Sequence, residues 1–207
     1  MDIRPLTPDR LGDLAALFAQ GGDPKWCWCA YFRIRGVDFS AGSGARHRAV
    51  LEVATHDGVA TDRAPGLVAY EGDDAVGWVS VGPREDYERL AYSKVLAPID
   101  ETPVWSIVCF VVGRRWRGRG IARALLDAAV DYARDHGATT LEAYPVDVAD
   151  GERIGVGEAY RGTLAMFQRA GFTEVARRQW NATSPVRPIV RRAIRPRRGQ
   201  RPVISSR

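Results

Sequence analysis

The residues best suited to chemistry form one run: Phe110-Val111-Val112-Gly113-Arg114-Arg115-Trp116-Arg117-Gly118-Arg119-Gly120-Ile121-Ala122. An apolar stretch leads into a turn of small and basic residues, and a helical pattern follows. The first N–H groups of a helix have no partner inside it, and its dipole places partial positive charge there. Glycines let a phosphate approach the backbone, so such a turn is built to hold an anion, and arginines add charge-assisted contacts. A nucleotide P-loop is excluded, because no Gly-Lys-Ser/Thr follows. A dinucleotide fingerprint lacks its third glycine, since Arg123 stands there. The alternative is a tight strand–helix connection without a ligand. A second cluster is Trp26-Cys27-Trp28-Cys29-Ala30-Tyr31-Phe32. Cys27 and Cys29 make half a zinc site, but Cys109, His47, His56 and His136 lack the spacing to complete it. The expectation is therefore no metal.

The elements that must position these residues follow from periodicity. Ile3–Leu6 is a strand candidate, and Thr7-Pro8-Asp9 opens a helix with Leu11, Leu14, Leu17 and Phe18 on one face. Residues 21–44 read as irregular, and a second helix runs from Ala45 to His56. Gly66–Glu71 and Ala75–Val81 are strands around a Gly72-Asp73-Asp74 turn. Residues 82–103 read as a loop, and Val104–Val112 as a central strand covered on both faces. A helix then spans Ile121 to His136, closed by Gly137. A strand at Thr139–Tyr144, a loop at 145–157 and a helix at Thr163–Ala170 come next. Strands at Thr173–Trp180 and Pro188–Ile194 finish an α/β domain.

Composition narrows the class. The chain has 207 residues, 45% hydrophobic and 27% charged, as in an ordinary globular domain. Its longest apolar run, Val104–Val112, is too short to span a bilayer. The N-terminal residues lack a secretory pattern, and three cysteines cannot make a disulfide framework, so a reduced, cytoplasmic protein is expected. The net charge of +5 resides in five arginines from Arg195 onward. This divides the chain into a domain at 1–194 and a basic tail at 195–207. The tail lacks aromatic residues to stack on bases, so a solvated arm is favoured over a nucleic-acid binder.

Two motifs carry a resemblance. Arg117-Gly118-Arg119-Gly120-Ile121-Ala122 is similar to the Gln/Arg-x-x-Gly-x-Gly/Ala signature of the GNAT superfamily of acetyl-CoA-dependent N-acetyltransferases. Met166-Phe167-Gln168-Arg169-Ala170-Gly171-Phe172 resembles the "LYEKLGF" segment near the end of those domains. The resemblance covers about residues 2–194 and is strongest over 104–176. It implies a single-domain, mostly antiparallel twisted sheet of 6–7 strands, with about four helices and splayed central strands.

The resemblance also implies roles. Main-chain groups of Phe110, Val111 and Val112 would bind the pantetheine arm of acetyl-CoA. N–H groups from Arg117, Gly118, Arg119, Gly120, Ile121 and Ala122 would hold its pyrophosphate, with the side chains of Arg114, Arg115 and Arg119 either reaching the 3′-phosphate or sitting in water. Phe167 would lie on the cofactor side. It replaces the family's frequent tyrosine and cannot donate a proton, so Tyr160 and Tyr144 are the candidate acids. Glu142, Asp147 and Glu85 are the candidate bases. Trp26, Trp28 and Tyr31, with Phe32, would either wall an acceptor pocket suited to an apolar or cationic amine or plug the edge of the core. No nucleophile–base pair is visible, which agrees with direct transfer. The expected activity is acyl transfer to a primary amine of a small molecule. Alternatives are a protein or peptide N-acetyltransferase, a non-catalytic acyl-CoA sensor, or a nucleic-acid-associated protein using the tail. The terminal strands could mediate a homodimer.

Overall fold

The computed structural model describes residues 1–148 and 156–195. Seven strands form one sheet: β1 (Asp2–Pro5), β2 (Gly66–Glu71), β3 (Asp74–Pro83), β4 (Trp105–Val112), β5 (Thr140–Ala143), β6 (Thr173–Arg178) and β7 (Arg187–Ala193). Their order is β1-β2-β3-β4-β5-β7-β6. Every neighbouring pair is antiparallel except β4 and β5. The helices are α1 (Leu11–Phe18), α2 (Pro24–Cys27), α3 (Gly36–Ser40), α4 (Gly44–Thr61), α5 (Glu88–Tyr92), α6 (Ile121–Asp135), α7 (Val156–Ala159) and α8 (Leu164–Arg169).

The expected mixed, mostly antiparallel sheet is present, with differences in detail. Helices α1, α4, α6 and α8 are those the periodicity predicts. The short α2 and α3 stand where residues 21–44 read as irregular, and α5 stands inside the 82–103 loop. Such single turns are held by surrounding aromatic packing rather than by their own propensity. Helix α4 runs on to Thr61, past the expected end at His56. A 3₁₀ turn at Pro8–Arg10 precedes α1, and the Thr7 side chain accepts from Arg10 instead of capping the backbone. The expected basic tail begins at Arg195, and residues 196–207 lie outside the described residues.

Helix α6 follows its pattern closely. Ile121, Leu125, Leu126, Ala129, Val130 and Ala133 are buried against the sheet. Each large aliphatic side chain buried this way contributes about 1.5–3 kcal/mol. On the outer face Arg123 bonds Asp127 at 2.9 Å. Gly77 of β3 makes the close approach possible: a Cβ there would lie 2.7 Å from Ile121 Cγ2 and 2.9 Å from Leu125 Cδ1.

Two irregularities in β4 shape the site. First, Cys109 pairs with Ser80 and Ile107 with Val81, so Val108 is a bulge with no opposite residue. Ile107 and Phe110 therefore face the α6 side, while the consecutive Val108 and Cys109 both face the other side, packed with Phe32, Tyr87 and Tyr144. Second, β4 and β5 pair only at Trp105–Leu141, Ser106–Glu142 and Ile107–Ala143. Beyond Ile107 the two parallel strands part. The gap is entered by the segment after α7, where Tyr160 C=O accepts from Phe110 N–H at 2.6 Å and Val146 bridges Thr163.

Candidate active site

The turn after β4 leaves a set of backbone donors open. Gly118 and Gly120 both have left-handed φ, +77° and +79°, and a Cβ at either would meet nothing within 4 Å. Gly120 is the N-cap of α6 and supplies no side-chain cap. The first bond of the helix is Ala124 N–H to Gly120 C=O at 3.0 Å. The N–H groups of Ile121, Ala122 and Arg123 thus precede the helix's own hydrogen bonding. Arg114, Arg115, Arg117 and Arg119 are exposed around this mouth. Arg119 lies over the Trp116 ring at 5.0 Å, and Arg115 faces Asp74 at 3.7 Å. The cradle has the shape, the donors and the charge for a phosphate.

The strand groups expected to bind pantetheine have partners within the chain. Phe110 N–H is taken by Tyr160 C=O, and Val112 C=O accepts from Arg117 Nε at 3.3 Å. Alternation along the strand directs Val112 N–H toward the gap, as it does that of Phe110. Val111 is buried and turned toward the α1 side. Phe167 is 0% exposed, with its ring edge-on to Phe110 and Phe172. It is core packing, with no surface to offer a cofactor.

The candidate acid–base residues separate sharply. Glu142, on β5, is 1% exposed. Its oxygens accept from Arg84 Nη1 at 2.8 Å, Arg191 Nε at 2.8 Å and Tyr144 OH at 2.7 Å. Tyr144 also meets Ser106 Oγ at 3.0 Å, and burial followed by the Glu142 charge pushes its pKa well above the usual phenol range. Both groups lie in a closed ion-pair network that ties β4, β5 and β7 together, which argues against the proton-transfer roles expected of them. Asp147 is engaged by Arg177 at 2.6 Å, and Glu85 is exposed on a 3₁₀ turn. Tyr160 is half-buried at the gap, with its hydroxyl against Gly22. Burial, then the charge of Asp23, raises its pKa, while Arg117 acts in the opposite sense.

The expected aromatic wall also divides. Trp28 is buried edge-on to Phe18, in a left-handed backbone conformation at φ 47°. Trp26 is 44% exposed and packs edge-on to Phe39 and His47. Tyr31 and Phe32 do line a cavity, but arginines cover their faces: Arg89 Cζ lies 3.7 Å from the Tyr31 ring centre and Arg161 Cζ 5.1 Å from that of Phe32. The cationic-acceptor expectation fails on charge, because the protein's own cations fill the cation–π positions.

The cysteines meet in an arrangement the sequence did not foretell. Cys29 Sγ lies 3.3 Å from Cys109 Sγ and accepts from Trp78 Nε1 at 3.2 Å. Those donors and nearby Arg33 lower the Cys29 pKa, while burial pushes Cys27 up to about 12. His47 faces the carbonyls of Trp26 and Phe39 with its two ring nitrogens, and His136 faces those of Tyr132 and Asp62.

Comparison with known proteins places this geometry in a class. The family model for the acetyltransferase (GNAT) family matches residues 28–172. The chain belongs to that family and is a GNAT N-acetyltransferase. Among solved structures, Drosophila melanogaster polyamine N-acetyltransferase, an enzyme that forms N-acetylagmatine, matches at TM-score 0.59 and 12% identity, covering 93% of this chain and 99% of that one. Ribosomal-protein-alanine N-acetyltransferase from Brucella melitensis matches at TM-score 0.55 and 20% identity, covering 94% and 100%. A GNAT-family acetyltransferase from Streptococcus pneumoniae matches at TM-score 0.55 and 13% identity, covering 93% and 98%. At these identities the likeness is one of fold. No curated protein matches the sequence. No helix among the described residues is long and apolar enough to cross a membrane.

Proposed function

We propose that the protein transfers the acetyl group of acetyl-CoA directly to the primary amine of a small molecule. The observation that carries this reading is the open turn at Gly118–Gly120, leading into an uncapped α6 beside the gap between β4 and β5. The turn fits the diphosphate of coenzyme A, and its extended arm would run from there along β4 toward the gap. When bound, acetyl-CoA supplies an activated thioester. N–H groups of Ile121 and Ala122 bind its phosphates, and the exposed arginines of the turn screen their charge.

With Phe110 N–H held by Tyr160 C=O, the Val112 N–H is the strand group left to bind the thioester oxygen as negative charge develops on it. Tyr160 is the proton donor of this reading. Any phenol is protonated at neutral pH, and the Tyr160 carbonyl holds the Phe110 N–H at the gap. The acceptor amine must lose its proton, because a free alkyl amine has a pKa of about 10.4. With Glu142 locked into its ion pairs, water or desolvation of the amine serves better than a carboxylate of β5. The polyamine and ribosomal-protein enzymes among the similar structures support small and protein amines alike as acceptors. A cavity walled by Tyr31 and Phe32 supports the small one.

Calorimetric titration with acetyl-CoA tests the reading. Saturable binding is expected, weakened roughly tenfold or more by Ala122→Glu, which sets a carboxylate in the cradle without backbone strain. Gly120→Glu should act in the same direction, with added strain at its positive φ. A folded wild type that ignores acetyl-CoA would end the proposal.

A further inference from the structure

A cavity of about 410 Å³ opens on the face of the sheet opposite α6. Its walls include Tyr31, Phe32, Tyr92 and Trp180, and its charged groups are Arg89, Arg161 and Arg187. That volume falls within the range of small-ligand sites, roughly 300–1,000 Å³. Phe32 also packs with Val108 and Cys109 of β4. Arg161 directly follows Tyr160, whose carbonyl holds Phe110 N–H. The cavity therefore backs onto the stretch of β4 where the strands part.

Its charge balance is one-sided. Among the described residues that line it, none is acidic. The carboxylate of Glu158 is bound by both terminal nitrogens of Arg187 and lies 3.9 Å from Arg161 Nε. Arg89 bonds the Tyr31 carbonyl at 3.0 Å and has no carboxylate partner among the described residues. Each aromatic wall already carries a cation: Arg89 on Tyr31, Arg161 on Phe32, Arg35 on Tyr92 and Lys94 on Trp180. The second observation is a missing partner. Arg161 Nη1 is buried and donates to no oxygen among the described residues, a costly state for a guanidinium N–H. Burial, then the like charge of Arg187, pushes its pKa below the usual arginine range, against the opposing charge of Glu158.

We propose that this cavity is the acceptor site and that it selects an amine which also carries a carboxylate and an apolar or aromatic body. The carboxylate satisfies Arg161 with Arg187 or Arg89 beside it, the body lies among the rings, and the amine points toward the gap. A polyamine, the acceptor named for one of the similar structures, would bring positive charge into a positive site.

The reaction attributed to the site rests on the preceding proposal, but the binding preference can be tested without turnover. The probes are N-acetyl-L-phenylalanine and N-(2-phenylethyl)acetamide, product-like molecules that differ only in the carboxylate. Titration calorimetry on wild type should give the acid at least about a tenfold lower Kd, an advantage that salt reduces. Arg161→Gln should shrink the ratio to within about threefold. Arg89→Gln, on another wall, should also reduce it, and stands in if the first variant fails to fold. Equal affinity, preference for the neutral amide, or no binding of either probe would overturn the inference. The same preparations are titrated with acetyl-CoA. Carboxylate selection without acetyl-CoA binding would overturn the acyltransfer reading and leave the site standing. Acetyl-CoA binding without carboxylate selection would do the reverse.

Discussion

Replacing Glu142 separates its structural role from a catalytic one. Its side chain is 1% exposed, and its two arginine partners have side-chain exposures of 13%. Its carboxylate receives three hydrogen bonds, two of them from guanidinium groups. Removing one member of a buried ion pair leaves the others uncompensated and costs about 3–5 kcal/mol. In Glu142→Gln the carbonyl oxygen can still accept from Arg84 and Tyr144, but the amide N–H₂ is then set against Arg191. The expected loss is thus near the lower end of that range, and Glu142→Ala lies toward the upper end. For a domain of this size each kcal/mol lowers Tm by roughly 2–4 °C, so the two variants should melt about 6–20 °C below wild type. The assay pairs thermal unfolding with coenzyme A release, measured well below the variants' melting range. Activity per folded molecule should stay within about twofold of wild type, with an unchanged pH profile. A Glu142→Gln protein that melts like wild type, yet loses roughly 100-fold in kcat and the acidic limb of its profile, would make Glu142 the base and refute this account.

Other outcomes follow from the same geometry. Tyr160→Phe should lower kcat by roughly 10²-fold with little change in KM for acetyl-CoA, and an unchanged kcat would remove Tyr160 from the mechanism. The carboxyl of Asp100, held by Arg191 and by Thr102, has its pKa lowered from 3.8 to about 2. A depressed folded-state pKa contributes stability that is present above pH 4 and lost as pH falls toward 2. Tm should therefore drop over that window, and Asp100→Asn should flatten the drop. Cys29→Ala strips Trp78 Nε1 and the Cys109 thiol of a buried partner, and should cost about 1–3 kcal/mol in urea unfolding. A variant as stable as wild type would mean that the sulfur pair contributes nothing.

The parts legible in the sequence were those governed by local rules. The α6 stripe, the two glycines of the turn and the end of that helix at Gly137 all state their conformation within a few residues. Helices α2, α3 and α5 escaped because their few residues are stabilised by contacts from distant segments. Trp26 against Phe39 and His47 is one such contact, and Arg89 against Tyr31 is another. The roles of Glu142 and Tyr144 escaped for a similar reason. A glutamate on a strand looks like a candidate base until Arg84 and Arg191, 58 residues before it and 49 after, are seen to close on it. The basic cavity is assembled from α5, the approach to α8 and β7, so no local run of arginines announced it. The one cue available was that Arg161 follows directly on Tyr160.

The bulge at Val108 gives β4 something like a reading frame. Residues before and after it are assigned to faces by different parity, which is how Ile107 and Phe110 come to share one side. Deleting Val108 itself would restore simple alternation and leave Ile107 and Phe110 toward α6 with Cys109 and Val111 opposite, because the bulge holds the one surplus residue. Deleting Ser106 instead would either turn Trp105 away from α6 or use up the bulge and exchange the faces of Ile107 and Val108. No point substitution can make that exchange. Over these eight residues the chain should accept many replacements of similar volume but the loss of a residue only at the bulge, so the two-sidedness of the strand is stored as a count of residues rather than in their identities.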